Sequence, residues 1–540
     1  MTPRWLGVGA TLPLLGFLIA FVLLPVSGII ASAFPAAGSW SGWATLFADP
    51  LNRDALENSL VQGGLSAGAS VLVGYPVGVF LGRYDWPGRR VLRSLLLLPF
   101  LLPSLLVVLG VADLLGPGGL LVGSFPGLAV FGHGLGGIVA VNVAFNAPMV
   151  ALFTAVGAES ASAPLEESLA SLGASPGRVY REVWGPPSWW GALAGALLAF
   201  LFSALAFAAP LLLAGPAQYT LEDRIWSLDQ ILLNAHGAAL LATLTLAFLA
   251  VPTAAYLAVL PRLAPSGSRS APRLGRRTAS PVAVLLAGIC AAFAAAEASL
   301  VGAVLYRTVE PAGGRPWGAA WTLLFGPETT RALGLPILAA TVNTLAFAGA
   351  AAAIAVGLVL GLVFARSLHR AGRPSLLAAV TLLPLLISPV MLAFALASVW
   401  EPLLGGPREA WVLIVVSQAT LGLPFVVQSL SVPLDGLSAA PREAARTLGA
   451  GPWTAFTDVD LPRLRRGLTV AGLFVFAFGL GEFTATYFLV TPSFTTLTVA
   501  VYRLQGVRLP GVADAAAGLL LVVSAAAIVV LSVGGPRVRF

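Results

Sequence analysis

Long apolar stretches separated by short polar loops run through the whole of this 540-residue chain. Each stretch is about 20 residues long, which is the length that an α-helix needs to cross the hydrocarbon core of a bilayer. Barrel strands are shorter, about 10 residues, and alternate between polar and apolar positions, so these stretches do not fit a barrel. The pattern predicts an all-α polytopic membrane protein with twelve spans, near residues 8–33, 58–82, 92–115, 134–158, 190–214, 237–261, 281–305, 338–365, 376–400, 409–432, 468–490 and 512–533.

The composition excludes a soluble protein of this length. Hydrophobic residues make up 58% of the chain and charged residues 10%, with a mean hydropathy of +0.91. These proportions leave too few charged side chains to cover the surface of a soluble protein. The formal charge of +7 does not indicate nucleic-acid binding, because the basic residues are scattered through the loops between spans.

The distribution of arginines predicts how the chain is oriented in the membrane. All 30 basic residues are arginine. If the N-terminus is cytoplasmic, 22 of the 30 lie in cytoplasmic loops or termini and the remaining 8 lie outside. Because short cytoplasmic loops of membrane proteins carry an excess of positive charge, we expect both termini to be cytoplasmic.

The second half of the sequence repeats the first. Shifting the first half by 276 positions places a motif that begins at Glu167 on one that begins at Glu443, and nearer the start of each half an offset of 285 places Asn58 on Asn343. A segment rich in Pro, Ser, Gly and Arg separates the halves and is typical of a linker. The sequence therefore predicts two parallel six-span repeats, at residues 1–261 and 281–540. Residues 262–280 are predicted to form a cytoplasmic linker between them.

One loop of each repeat, near residues 159–189 and 433–467, has the sequence of a short helix-turn-helix. In the second of these repeated loops "EAARTL" favours a helix, Gly449 provides a turn, and Pro452 suits the first turn of a second helix. Such a loop presents a face of small residues that another protein can approach closely. A solvated helical loop without a partner is the alternative, and the presence of two copies in register disfavours it.

The repeated loops resemble the cytoplasmic EAA loop of binding-protein-dependent ABC importer permeases. In that family the loop forms a coupling helix that inserts into a groove of an ATP-binding subunit. The second loop matches the motif at six positions and the first at three, which are Glu443, Ala444, Ala445, Gly449, Leu461 and Pro462, and Glu167, Gly173 and Pro186. The first loop has Ser168, Leu169 and Gly185 where the motif has two alanines and a leucine, so we expect its docking to differ.

The resemblance implies a transporter subunit, not an enzyme, in the inner membrane of a bacterium or archaeon. Its partners would be two ATP-binding cassette subunits inside and a substrate-binding protein outside, with no cofactor. Fusion of both halves in one chain narrows the resemblance to thiamine and ferric-iron permeases, and "TLEDRIW" after the fifth span favours thiamine. ATP hydrolysis is expected on another subunit, because a Walker A loop needs a lysine and this sequence contains none.

Three polar residues within or near the spans are candidates for the translocation path. Glu482 lies in the eleventh span, where charge usually marks function, although packing or hydrogen bonding to neighbouring helices is the alternative. Asn58 and Asn343 recur at matching positions, where helix capping or interhelical hydrogen bonds are favoured over substrate contact. Glu297 has no partner visible in the sequence, and its role stays open.

A second class of function also fits two six-span repeats. A secondary transporter driven by an ion gradient would need ion or proton sites at the membrane midplane, commonly acidic ones. The spans contain few carboxylates, whereas two docking loops are present, so the ATP-driven importer is favoured. The sequence has no nucleophile–base set and no metal-ligand spacing, and we predict no catalytic, cofactor or metal site.

Overall fold

The computed structural model describes residues 4–34, 41–84, 86, 88–96, 102–263, 281–310, 317–368, 384, 387–404, 409–435, 437–491, 494–507, 509 and 511–534. The regular elements in these ranges are helices. Of the predicted linker, only residues 262–263 are described, as part of the helical turn Leu260–Leu263. The rest of the linker lies outside the described residues.

Among the described residues, nine helices are long and apolar enough to cross a bilayer. They are Gly9–Ala33, Pro50–Arg83, Gly134–Glu159, Pro176–Ala204, Ala235–Leu263, Pro281–Val309, Ile337–Leu368, Trp411–Leu430 and Pro452–Gly481. Three shorter apolar helices, Ser104–Leu115, Pro389–Trp400 and Val512–Ala527, lie at the positions predicted for the third, ninth and twelfth spans. Each predicted span therefore contains an apolar helix, which confirms the prediction of an all-α polytopic fold.

The fifth and eleventh spans are interrupted, whereas the sequence pattern predicts continuous helices. The fifth is helical over Gly185–Ala204 and again over Ala208–Leu213. The eleventh is helical over Leu461–Gly481 and again over Thr484–Leu489. A break at membrane depth exposes backbone polar groups, and it is tolerated where protein or a cavity surrounds it. Both breaks meet this condition, as described below.

The structure repeats with the same offsets as the sequence. Helices of the first half recur in the second with bounds that differ by 276 or 285 positions, to within a few residues. The corresponding pairs include Ser41–Ala48 with Trp317–Leu324, Ser104–Leu115 with Pro389–Trp400, Gly185–Ala204 with Leu461–Gly481, and Ala208–Leu213 with Thr484–Leu489. The breaks in the fifth and eleventh spans are therefore one feature present twice.

The first span of each half packs against the other half. The first span runs along the eighth, and glycine permits the close approach, because a Cβ on Gly361 would lie 2.1 Å from the Ala10 carbonyl oxygen. The seventh span packs in the corresponding way against the second and third spans, where a Cβ on Gly110 would lie 2.7 Å from the Leu300 carbonyl oxygen. The two halves are thus interlocked.

Candidate functional site

Each repeated loop folds as two short helices joined by a glycine turn. The helices are Ala163–Ser171 and Pro176–Val179 in the first loop, and Ala440–Thr447 and Pro452–Ala455 in the second. Glu166 and Glu443 lie in the first helical turn of their loops, where the helix dipole favours negative charge. Gly173 and Gly449 have φ angles of +76° and +90°, a left-handed conformation that residues with a Cβ rarely adopt.

The first loop is anchored to the end of the second span by charge. Glu166 forms an ion pair with Arg83, the last residue of the helix Pro50–Arg83. The Arg83 guanidinium also lies over the ring of Trp184, 5.1 Å from its centroid. These contacts join the start of the loop, the end of the loop and the neighbouring span.

The second loop is anchored at corresponding positions too, but its ion pair lies within the loop. Arg442 stands 276 positions after Glu166, and Asp460 stands 276 positions after Trp184. The Arg442 guanidinium donates to the Asp460 carboxylate, with N–O distances of 2.7 and 3.1 Å, and to the Ser367 carbonyl oxygen at 2.6 Å. Ser367 lies at the end of the eighth span, the counterpart of the second.

The side chains that remain exposed on the two loops include a matched pair of leucines. Leu172 and Leu448, 276 positions apart, expose 83% and 89% of their surface. Most residues of the EAA resemblance lie on the exposed surface of the loops, while Ala445 and Leu461 are half-buried; the exposed ones are Glu167, Gly173, Pro186, Glu443, Ala444, Gly449 and Pro462. Large apolar side chains that project into solvent at corresponding points are suited to contact with a partner.

Each loop continues into the following span without a break. A five-residue π-helix joins the second short helix to the span, over Tyr180–Trp184 in the first half and Phe456–Asp460 in the second. The loop and span therefore form one helical run, Pro176–Ala204 or Pro452–Gly481. π-Helical turns are frequent at functional sites, and a continuous helix can carry a displacement of the loop along its whole length.

The far ends of these two helical runs line a cavity of about 270 Å³ between the halves. The breaks in the fifth and eleventh spans contribute to its wall, together with residues of the third, fourth, ninth and tenth spans. Seven phenylalanine side chains dominate the described lining. The interrupted backbone of both spans therefore lies at the wall of a cavity that protein residues line.

Glu482 lines this cavity at the break in the eleventh span. Only 6% of its surface is exposed. Its carboxylate accepts hydrogen bonds from the backbone N–H groups of Ala485 and Thr486 at 2.7 and 2.9 Å, and from the Thr486 hydroxyl at 2.6 Å. These three donors give the buried carboxylate hydrogen-bond partners, as a buried polar group requires.

Asn58 and Asn343 do not belong to the described lining of the cavity. The Asn58 amide donates to the carbonyl oxygens of Ala217 and Tyr219 at 3.2 and 3.1 Å. The Asn343 amide donates to the carbonyl oxygen of Thr495 at 3.2 Å, and Thr495 stands 276 positions after Tyr219. Both asparagines bind the segment that follows an interrupted span, as expected for interhelical hydrogen bonding.

Two equivalent phenylalanines meet at the breaks. Phe207 and Phe483 stand 276 positions apart, their ring centroids are 6.1 Å apart, and each exposes at most 2% of its surface. Trp226 packs against Phe207 at 6.0 Å, Tyr487 packs against Phe483 at 5.2 Å, and these two outer rings are 5.5 Å apart. Phe207 and Phe483 also line the cavity, so the cluster contributes to its wall.

The segment between the fifth and sixth spans buries a charged helix, Leu221–Trp226. Asp223 forms a capping box with Thr220, and Arg224 pairs with Asp49 at 2.6 Å. Burial raises the pKa of the Glu222 carboxyl to about 8, although hydrogen bonds with Ser388 and the Val390 backbone lower it. Burial also raises the pKa of the Asp223 carboxyl. The contacts of Glu222 and Arg224 are tertiary, and the sequence "TLEDRIW" alone does not reveal them.

The sequence of the chain is similar to those of known membrane transport components. The family model described as "Binding-protein-dependent transport system inner membrane component" matches residues 74–264. The molybdenum transport system permease protein of Escherichia coli (strain K12) is 33% identical over 195 residues, which are 33% of this chain and 84% of that protein. The sulfate transport system permease protein of the same organism is 30% identical over 226 residues, 38% of this chain and 77% of that protein.

A third relative corresponds to nearly the whole chain. The thiamine transport system permease protein of Haemophilus influenzae is 24% identical over 518 residues, which are 93% of this chain and 92% of that protein. The permeases for molybdenum and sulfate thus correspond to part of this chain, and the thiamine permease to both halves. From these similarities and the all-helical polytopic fold, the chain belongs to the family of membrane permease components of binding-protein-dependent ABC importers.

Proposed function

We propose that this permease imports thiamine, delivered by an external substrate-binding protein and driven by ATP hydrolysis on separate subunits. The correspondence of 93% of the chain with 92% of a thiamine permease carries the choice of substrate. The alignments with the molybdenum and sulfate permeases cover only 33% and 38% of this chain. Two fused halves are therefore common to this chain and the thiamine permease.

The two repeated loops are the proposed docking sites for the ATP-binding subunits. Their exposed leucines, Leu172 and Leu448, would enter grooves of the partners, with the exposed carboxylates of Glu167 and Glu443 beside them. The anchors at Arg83 and Arg442 hold each loop against its own half, so a force on the loop is transmitted to the spans. The first loop lacks two of the motif's alanines, and its contact is expected to differ from that of the second.

The proposed conformational change runs from the loops to the cavity. Movement of a loop would displace the helical run that follows it, because the π-helical turn leaves the backbone continuous. The far ends of both runs form the break where Phe207 and Phe483 meet. Closing of the ATP-binding subunits would thereby separate or join these phenylalanines and open the cavity to alternate sides.

The proposed topology follows from the arginine distribution. Both termini, both repeated loops and the linker at residues 262–280 would be cytoplasmic, in an inner membrane of bacterial or archaeal type. Residues 1–261 and 281–540 would form the two repeats. The helix bounds that recur at offsets of 276 and 285 support this division.

The test of the docking proposal is co-purification of the ATP-binding subunit with tagged protein from the native host. Glu443→Arg and Glu167→Arg reverse the charge on one loop each, and Glu57→Arg reverses an exposed charge at the opposite end of the second span from Arg83. We expect the subunit with wild type and with Glu57→Arg, and its loss with Glu443→Arg. Absence of the subunit from wild type, or its retention by both loop variants, would contradict docking through these loops.

A further inference from the structure

The cavity between the halves has a lining suited to one class of ligand. Seven of its described residues are phenylalanines, and they come from both halves of the protein. The face of an aromatic ring carries partial negative charge and attracts cations. The volume of about 270 Å³ is close to the lower end of the range of about 300–1,000 Å³ that small-molecule pockets occupy. A ligand of one or two rings fits this space.

The polar groups of the lining favour positive charge as well. Glu482 supplies a carboxylate whose three hydrogen-bond donors come from the short helix behind it. The amide nitrogens of Asn142 and Asn146 donate to the hydroxyls of Ser66 and Ser203, at 3.1 and 3.0 Å. Each amide keeps its carbonyl oxygen as an acceptor and one further N–H as a donor, so these two side chains are polar and uncharged.

The described lining contains no arginine or histidine, and the chain contains no lysine. An oxyanion in this space would face phenylalanine rings and a carboxylate without a compensating charge, which is costly in a buried site. The position equivalent to Glu482 in the first half is Ala206, so the described lining has one carboxylate and not a symmetric pair. An ionised carboxylate at this position would match a single positive charge on a ligand.

We propose that this cavity is a binding site for a cationic heteroaromatic ring, with Glu482 as its counter-charge and the phenylalanines as its stacking surface. The proposal deepens the proposed function, on which it rests for the view that solute passes between the halves. Glu482 is on this view a specificity-determining residue: it selects a cation over a neutral ring of the same shape. An oxyanion would be rejected at the same place.

The test measures equilibrium binding to the purified permease with its ATP-binding subunits, in detergent and without the binding protein. The probes are thiamine, molybdate, and a matched pair, 1-methylnicotinamide and nicotinamide, which share a ring and differ in its charge. Wild type should bind thiamine and 1-methylnicotinamide about tenfold more tightly than nicotinamide, from cation–π and ion-pair contributions, and should not bind molybdate. Glu482→Gln should remove most of this preference.

Two further variants keep the result interpretable. Glu297→Gln replaces the carboxyl group of another glutamate within a span, outside the described cavity lining, and should leave the preference unchanged. Phe478→Leu keeps the Glu482 hydrogen bonds and removes one ring of the lining, so it should weaken binding of the cation several-fold. This variant tests the site independently if Glu482→Gln lowers the yield of folded protein.

Equal binding of the charged and neutral rings by wild type would overturn the proposal, as would an unchanged preference in Glu482→Gln. Thiamine uptake by wild type together with either result would leave the proposed function standing and remove only the cavity site. Binding of 1-methylnicotinamide that depends on Glu482, without any uptake of thiamine, would have the opposite meaning: the site exists and the solute is another cation.

Discussion

The two asparagines that recur in the sequence have the same structural role in both halves. Asn58 and Asn343 donate hydrogen bonds to carbonyl oxygens at positions 276 apart. The next residue of each span accepts a hydrogen bond as well. The Ser59 hydroxyl accepts from the Leu221 N–H at 2.9 Å, and the Thr344 hydroxyl accepts from the Leu497 N–H at 2.7 Å. Sequence spacing identifies such a pair of asparagines. It cannot show whether they line the translocation path or form hydrogen bonds between structural elements.

Replacing either asparagine with alanine should therefore affect stability and not selectivity. Asn58→Ala and Asn343→Ala should each lower the free energy of unfolding by about 0.5–1.5 kcal/mol per hydrogen bond lost. Thermal melting of the purified variants, beside equilibrium binding of thiamine, measures both effects. A variant with an unchanged melting temperature and altered solute preference would place that asparagine in the path.

The ion pair of Arg442 with Asp460 is the residue-scale feature on which the second loop depends. Asp460 is fully buried and the Arg442 side chain is 14% exposed, so Arg442→Ala leaves a carboxylate buried without its partner. Loss of one member of such a pair costs about 3–5 kcal/mol. We expect Arg442→Ala to make the loop sensitive to proteolysis and to abolish ATPase docking, whereas Arg463→Ala, at an exposed position nearby, should do neither.

Asp460→Asn separates charge from geometry at this anchor. The amide keeps an oxygen that can accept from Arg442, and Arg442 keeps its bond to the Ser367 carbonyl oxygen. This variant should be milder than Arg442→Ala in the same proteolysis assay. Equal resistance to protease in wild type and Arg442→Ala would show that the loop does not need this anchor.

At the scale of elements, hydropathy predicts which segments are helical and fails where a span is interrupted. The first break, "SALAFAAP" at residues 203–210, is apolar after Ser203, and it contains no glycine that would mark a helix end. The second lies in "GLGEF", where two glycines and a glutamate do give a signal. Both breaks depend on packing at the cavity. The first break can be predicted only by aligning the two halves, because its position then corresponds to the glycines and glutamate of the second.

The phenylalanines at these breaks predict a barrier between the cavity and the outer side. A single reporter thiol, Thr484→Cys in a Cys290→Ala background, would lie in the cavity wall next to Phe483. A membrane-impermeant thiol reagent added outside should label it slowly, and Phe207→Ala combined with Phe483→Ala should raise the labelling rate several-fold. The same rate in both proteins would contradict a barrier formed by these rings.

At the scale of the whole molecule, the sequence predicts twelve spans and an internal repeat, and the structure has apolar helices at all twelve positions among its described residues. The interlocking of the halves was not predictable, because no local pattern states that the first span packs on the eighth. The contacts that anchor the loops could not be predicted for a related reason. Glu166 and Arg83 are far apart in sequence and lie on different helices, so the pattern of one helix does not indicate that they pair.

The two anchored loops predict a fixed stoichiometry. Each offers a leucine that is more than 80% exposed and one continuous helix into the bundle, so one permease chain should bind two ATP-binding subunits. Native mass spectrometry of the complex should give that ratio for wild type and one subunit fewer for Leu448→Asp. Because Leu448 is 89% exposed, this substitution should leave the melting temperature of the permease almost unchanged.

Uptake by reconstituted proteoliposomes tests the central claim most directly. The vesicles would contain the permease and its ATP-binding subunit, with ATP enclosed and the binding protein and labelled thiamine outside. We predict accumulation of thiamine that requires ATP, is lost with Glu443→Arg, and is unaffected by collapse of proton and sodium gradients. Uptake that persists without ATP and follows an imposed ion gradient would contradict the account, and ATP-driven uptake of ferric iron or molybdate in place of thiamine would contradict its substrate.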